Sequence, residues 1–211
     1  TFTMPGGAIA VAVTFVPLSD DGQEPCDGGA DCPSHSYTDL GGTGAWYHDA
    51  VDYALHNGLI NGYGSDSFGP NDALTRAQLA QILFNKAGRP AVTGSGAFAD
   101  VAPGQWYANA IQWAGQNGIV NGQGNGLFGP DDDITREQLA VMLWRYAGRP
   151  AATSTALPFD DTDKISGYAL DAVRWAVENG ILKGYGGGRL GPQDRATRAQ
   201  AAQMLKNLFE R

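Results

Sequence analysis

Apolar residues recur at helical spacing in six stretches of this chain, and the stretches fall into three pairs. In the first member of each pair, Ala50, Val51, Ala54 and Leu55 share one face, as do Ala110, Ile111 and Ala114, and then Ala172, Val173, Ala176 and Val177. The spacing predicts a helix from about Trp46 to Asn57 and two later copies of it. Asn57-Gly58, Asn117-Gly118 and Asn179-Gly180 close these helices, because glycine takes the left-handed conformation that a helix end needs. The second helix of each pair begins at Thr75, Thr135 or Thr197. Each threonine has a glutamine three residues on (Gln78, Gln138, Gln200), the signature of a capping box. Leu79, Ile82 and Leu83 form its buried stripe, Gly88 stops it and Pro90 prevents its continuation. Between the helices Phe68, Phe128 and Leu190 are expected to pin a glycine-rich loop to the core.

The pairs are copies of one unit. Residues 46–90 and 106–150 align without a gap, with 23 of 45 positions identical, and a shift of 62 brings in the third copy. The Asn-Gly, Gly-x-Gly, Gly-Pro and Thr-Arg markers then fall in register in all three. The fold class is therefore mainly α: three helix–loop–helix repeats at 37–90, 97–150 and 158–211, joined by short Ala-, Thr-, Ser- and Gly-rich linkers. One helix pair cannot bury its own apolar face, whereas three can share a core.

Residues 1–18 break the helical pattern. Ile9, Val11, Val13 and Phe15 alternate with Ala8, Ala10, Ala12 and Thr14, which predicts a β-like tail, read as the last strand of a domain truncated upstream. The stretch lacks the charged leader of a signal peptide. Residues 19–36 read as an acidic linker. The first 36 residues hold five acids and no lysine or arginine, out of a net charge of −8 for the 211 residues. That balance excludes a general nucleic-acid binder, which needs surplus cations to neutralise phosphates. No apolar run approaches the ~18 residues of a spanning helix, so membrane insertion is not expected.

The candidate chemistry sits where the repeats agree. Arg76, Arg136 and Arg198 occupy the first position of a capped helix, where the helix dipole disfavours a cation. Either an external carboxylate or phosphate offsets the three, or each pairs with a nearby acid such as Asp72, Asp133 or Asp194. Trp46 and Trp106 open the first helices, and their rings either stack on sugar or pack in the core. Tyr53, Trp113 and Trp175, two turns further on, are core. Gly62, Gly122 and Gly184 either let a ligand approach the backbone or serve turn geometry alone. No His-Glu-x-x-His, nucleophile elbow or phosphate loop is present, and the three histidines do not repeat; no cofactor and no catalytic residue is expected. Cys26 and Cys32 form a small disulfide loop or remain two free thiols, and they are too few for a zinc site.

Taken together, these residues resemble the S-layer homology domains of bacterial surface proteins. The resemblance is carried by Tyr37-Thr38-Asp39, Phe98-Ala99-Asp100 and Phe159-Asp160-Asp161, followed by Trp-Tyr, Asn-Gly, Gly-x-Gly, Phe-Gly-Pro and Thr-Arg-x-Gln, over about 37–211. It implies three repeats around a pseudo-threefold axis, with one helix of each in a central bundle. It also implies an extracellular, cell-surface role as a non-enzymatic anchor. The module would bind secondary cell-wall polysaccharide, pyruvylated in many members, in grooves between repeats, with possible self-association in a surface layer. The family's Thr-Arg-Ala-Glu motif maps onto Thr75–Gln78, Thr135–Gln138 and Thr197–Gln200, so the resemblance assigns ligand contact to Arg76, Arg136 and Arg198. Glutamine replaces the motif's acid in every copy. In the third copy Tyr168 stands where the others have tryptophan and Leu190 where they have phenylalanine, so a degenerate groove is expected there. Two other classes remain: a structural spacer or protein-interaction module, and a segment of a glycan-active enzyme.

Overall fold

The computed structural model describes residues 28–94, 96 and 98–210. The alternating stretch expected over 1–18 and the first half of the acidic linker lie outside the described residues. The second half does not stand clear as a solvated linker. Residues 28–36 form turns in which Cys32 and Ser34 are buried, and the Ser34 N–H donates to Asp52 on the first helix at 2.9 Å. Cys32 is disulfide-bonded.

Six α-helices follow: α1 His48–His56, α2 Arg76–Lys86, α3 Ala108–Gln116, α4 Arg136–Tyr146, α5 Leu170–Glu178 and α6 Arg198–Phe209. Two 3₁₀ turns, Thr162–Lys164 and Gly167–Ala169, lead into α5. The first helices end as the Asn-Gly signal predicts. Gly58, Gly118 and Gly180 have φ near +60 to +68°. At each, the next N–H reaches back to the third-last carbonyl, as in Leu59 N–H to Ala54 O at 2.8 Å, the 6→1 bond of a Schellman motif.

The second helices start as the threonines predict, with one exception. Thr75–Gln78 and Thr135–Gln138 complete both halves of the capping box. Thr197 still accepts from the Gln200 N–H, but Gln200 does not return the bond. Its side chain turns outward, accepting from Arg136 Nη1 and donating to the Tyr185 hydroxyl, both at 3.3 Å.

The aromatic-x-Asp openings are staples within each repeat. The Asp39 carboxylate accepts from the N–H groups of Phe68 and Gly69 at 2.8 and 2.7 Å. Asp100 holds Phe128 and Gly129, and Asp161 holds Leu190 and Gly191, in the same way. Phe68, Phe128 and Leu190 are thereby fixed fully buried in the core, as expected.

The repeats interlock in a closed cycle. Helix α2 packs on α3, α4 on α5, and α6 returns to α1. Leu74 N–H donates to Ala196 O at 3.0 Å, Ala196 N–H to Ile134 O at 2.8 Å, and Ile134 N–H to Leu74 O at 2.9 Å. Each repeat thus gives one bond and takes one. These three residues are buried, so a broken link would strand a backbone donor away from water.

Candidate functional site

The first-turn N–H groups of a helix carry the positive end of its dipole and could hold an anion if they were open. Here they are occupied. Arg76 N–H donates to Asp132 O and Ala77 N–H to Pro130 O, both at 3.0 Å. Gln78 N–H is capped by Thr75. Helices α4 and α6 use Asp194 O with Pro192 O, and Asp72 O with Pro70 O, in the same roles. Carbonyls of the next repeat thus fill these backbone donors, so any anion at these helix starts is left to the arginine side chains.

The arginine side chains follow the same direction around the cycle. Arg76 Nε donates to Phe128 O at 2.9 Å and Nη2 to Asn121 O at 3.3 Å. Arg136 bonds Leu190 O and Lys183 O, and Arg198 bonds Phe68 O and Asn61 O at 2.9 and 2.6 Å. Each guanidinium also lies over an aromatic ring of the next repeat: Phe128, Tyr185, or Tyr63 together with Phe68. Only 6%, 4% and 4% of Arg76, Arg136 and Arg198 is exposed. None forms an ion pair among the described residues; Asp133 pairs with Arg195 and Asp194 with Arg189 instead. Burial lowers all three guanidinium pKa values, opposed mainly by Asp132 at Arg76, by Tyr185 and Asp194 at Arg136, and by Tyr63 and Asp72 at Arg198. Carbonyl dipoles and ring faces offset the helix dipole, so the arginines are inter-repeat clamps whether or not a ligand is present.

They are not wholly sealed. A cavity of about 380 Å³ opens beside Arg76. It is walled by the 120–123 loop of repeat 2, by Gln138, Val141, Met142 and Arg145 of α4, and by Tyr168 of repeat 3. Arg76 Nη1 makes no hydrogen bond among the described residues. The site draws its cation from one repeat, its floor from the second and an aromatic ring from the third.

Trp46 and Trp106 are 63% and 59% exposed and Tyr168, their counterpart, 58%. Core packing is thus ruled out for these positions, while Trp113 and Trp175 are buried as expected and Tyr53 is half-buried. Each exposed tryptophan rests edge-on against the following tyrosine, with centroids 5.3 Å and 5.1 Å apart. Tyr168 is held differently: its hydroxyl donates to Glu137 Oε1 at 3.1 Å, and Glu137 Oε2 accepts from the Ser166 N–H at 3.0 Å. Burial raises the Tyr168 pKa and Glu137 raises it further. Tyr168, which stands where the other copies have tryptophan, walls the cavity. Glu137, fully buried, was missed by reading the repeats, because alanine stands at 77 and 199.

Gly62, Gly122 and Gly184 have their own internal reason. A Cβ on Gly122 would lie 2.6 Å from Leu127 O and 3.0 Å from the Phe98 ring; Gly62 and Gly184 would meet Tyr37 and Phe159 likewise. The space a ligand would use at these backbones is filled by the opening aromatic of each repeat. Gly122 still lines the cavity through its main chain.

The model of the S-layer homology domain family matches residues 36–80, 97–140 and 158–202, more than half of the chain. An amylopullulanase from Thermoanaerobacterium thermosulfurigenes is 32% identical over 173 residues, covering 79% of this chain and 9% of that protein. An endoglucanase from Bacillus sp. (strain KSM-635) is 32% identical over 170 residues, 78% of this chain and 18% of its own length. The S-layer protein sap of Bacillus anthracis is 30% identical over 174 residues, 76% and 20% respectively. The matched region thus spans only 9–20% of these curated relatives. No helix among the described residues is long and apolar enough to cross a membrane.

Proposed function

The chain belongs to the S-layer homology domain family, and from that premise we propose that it is the cell-surface anchoring module of a larger exported protein. It holds secondary cell-wall polysaccharide non-covalently in the grooves between repeats, and the acid it takes is the carboxylate of a pyruvate ketal. The cavity beside Arg76 is the observation that carries this reading. Its wall offers a guanidinium N–H without a partner, amide side chains and an exposed aromatic face, and no carboxylate lines it. That combination suits a charged sugar: the ring stacks on Tyr168 while the carboxylate meets Arg76. The cyclic exchange of clamps supports a pseudo-threefold relation of the repeats, which places Trp106 and Trp46 beside Arg198 and Arg136 as Tyr168 stands beside Arg76. Three weak grooves on one repetitive polymer gain avidity without any single tight site. Relatives named as enzymes share only this part of their length with the chain, so the glycan chemistry of those proteins is assigned to other domains.

Co-sedimentation tests the reading. The protein should pellet with cell-wall sacculi and remain in solution once the non-peptidoglycan polymer has been stripped chemically. Trp106→Ala should weaken pelleting at unchanged melting temperature, because that ring is exposed and makes no hydrogen bond to a buried charge. Undiminished pelleting on stripped sacculi would favour a spacer or protein-interaction module instead.

A further inference from the structure

The three grooves are not equivalent. Position 145 on α4 corresponds to Asn85 on α2 and Asn207 on α6. Those asparagines are engaged elsewhere: Asn85 accepts from Gln81 and Arg89, and Asn207 donates to Gly180 O and Ile181 O. Arg145 instead lines the cavity beside Arg76 and forms no ion pair among the described residues. Burial lowers the Arg76 pKa and the Arg145 charge adds a smaller lowering; at Arg145 burial is followed by the charge of Arg149. Two acids stand behind the wall. Asp132 is tied by Gln123 Nε2 at 2.6 Å, and Glu137 is bound behind Tyr168. Neither lines the cavity, so its surface presents two cations and no anion.

We propose that the Arg76–Arg145–Tyr168 groove is the module's principal anion site, and that Arg145 gives it a preference for a sugar unit bearing two negative charges over one bearing a single carboxylate. This rests on the proposed anchoring function and names the ligand chemistry of one of its grooves. The physical reason is the geometry of charge. Arg76 is held in place by two carbonyls and can turn only its remaining edge to a ligand, which satisfies one anionic oxygen pair. Arg145 extends from the C-terminal end of α4, its Nη2 donating to the Asn121 side-chain amide oxygen at 3.1 Å in that amide's favoured orientation, and its remaining N–H groups can meet a second charge. A phosphorylated or doubly carboxylated sugar relieves the repulsion between the cations; a monoanion leaves one of them unmatched.

Calorimetric titration of the full chain separates the possibilities. The probes are a methyl glycoside carrying a 4,6-pyruvate ketal and the same glycoside carrying a 6-phosphate. The wild type should bind the phosphate more tightly, by at least about fivefold, as one added charge-assisted bond implies. Arg145→Asn, the residue the other repeats carry, should abolish that preference and leave the melting temperature and the weaker sites unchanged. Asn85→Arg should create a second phosphate-preferring site beside Arg198. Equal affinities of wild type and Arg145→Asn for the phosphate, with sacculi still bound, would overturn this inference alone. Failure of the wild type to bind either glycoside or sacculi would overturn the anchoring reading with it.

Discussion

Replacing Arg198 by alanine should loosen the closure of the whole cycle. Its guanidinium joins the last repeat to the first, across 130 residues to Phe68 O and 137 to Asn61 O. It also covers the rings of Tyr63 and Phe68 at 4.4 and 4.8 Å. Hydrogen bonds to a charged donor contribute about 1.5–3 kcal/mol each. Truncation releases the desolvation penalty that lowers the Arg198 pKa, but it strands two carbonyls and opens a void under Tyr63. The net loss is about 2–5 kcal/mol. For a domain of this size each kcal/mol moves the midpoint by about 2–4 °C, so Tm should fall by roughly 5–15 °C. Arg198→Lys, which can reach one carbonyl and cannot bridge two, should fall about halfway. Differential scanning calorimetry of the full chain reads both. A Tm change below about 2 °C for Arg198→Ala, well inside the smallest expected shift, would refute the clamp and return this arginine to a purely ligand-facing role.

Other consequences follow from the same contacts. Asp39, Asp100 and Asp161 should titrate below the ordinary value of 3.8. At Asp39 and Asp100 burial opposes this and the backbone N–H bonds outweigh it; at Asp161 the bonds from Leu190 and Gly191 dominate. Their stabilisation is present above the unfolded pKa and is lost as pH falls through the lower native values. Carboxyl titration by NMR and acid unfolding should show this, and Asp100→Asn should flatten the acid limb. Gly122→Ala forces a Cβ against Leu127 O and should cost about 1–3 kcal/mol by overpacking, read as a lower Tm. Trp106→Ala should leave stability within about 0.5 kcal/mol because the ring is exposed. Tyr168→Phe removes a bond to buried Glu137 and should weaken glycan binding through a less fixed ring, measured by titration.

How far the residues alone disclose this molecule depends on the range of the interaction. Features set within a few positions were legible: the Asn-Gly helix ends, the Thr-x-x-Gln starts, and the pins at Phe68, Phe128 and Leu190. Periodicity identifies the buried face of a helix but not what lies across from it. The arginines were visible as anomalies of the helix dipole, yet their partners are carbonyls 45 to 137 residues away, in a direction only the closed cycle defines. The exposed tryptophans were ambiguous because an aromatic at a helix start has the same pattern whether it faces core or solvent. Glu137 and Arg145 depart from the repeat, so a reading built on what the copies share passed over them. Comparing the copies for charged residues found in one alone would have singled out both.

The most direct test of the central claim is a chemical-shift map of the full chain titrated with a pyruvate-ketal glycoside. Perturbations should cluster at Arg76 Nε–H, the 120–123 loop and Tyr168, and at the corresponding positions beside Arg198 and Arg136. A saturable titration whose shifts lie elsewhere, with these groups unmoved, would contradict the account.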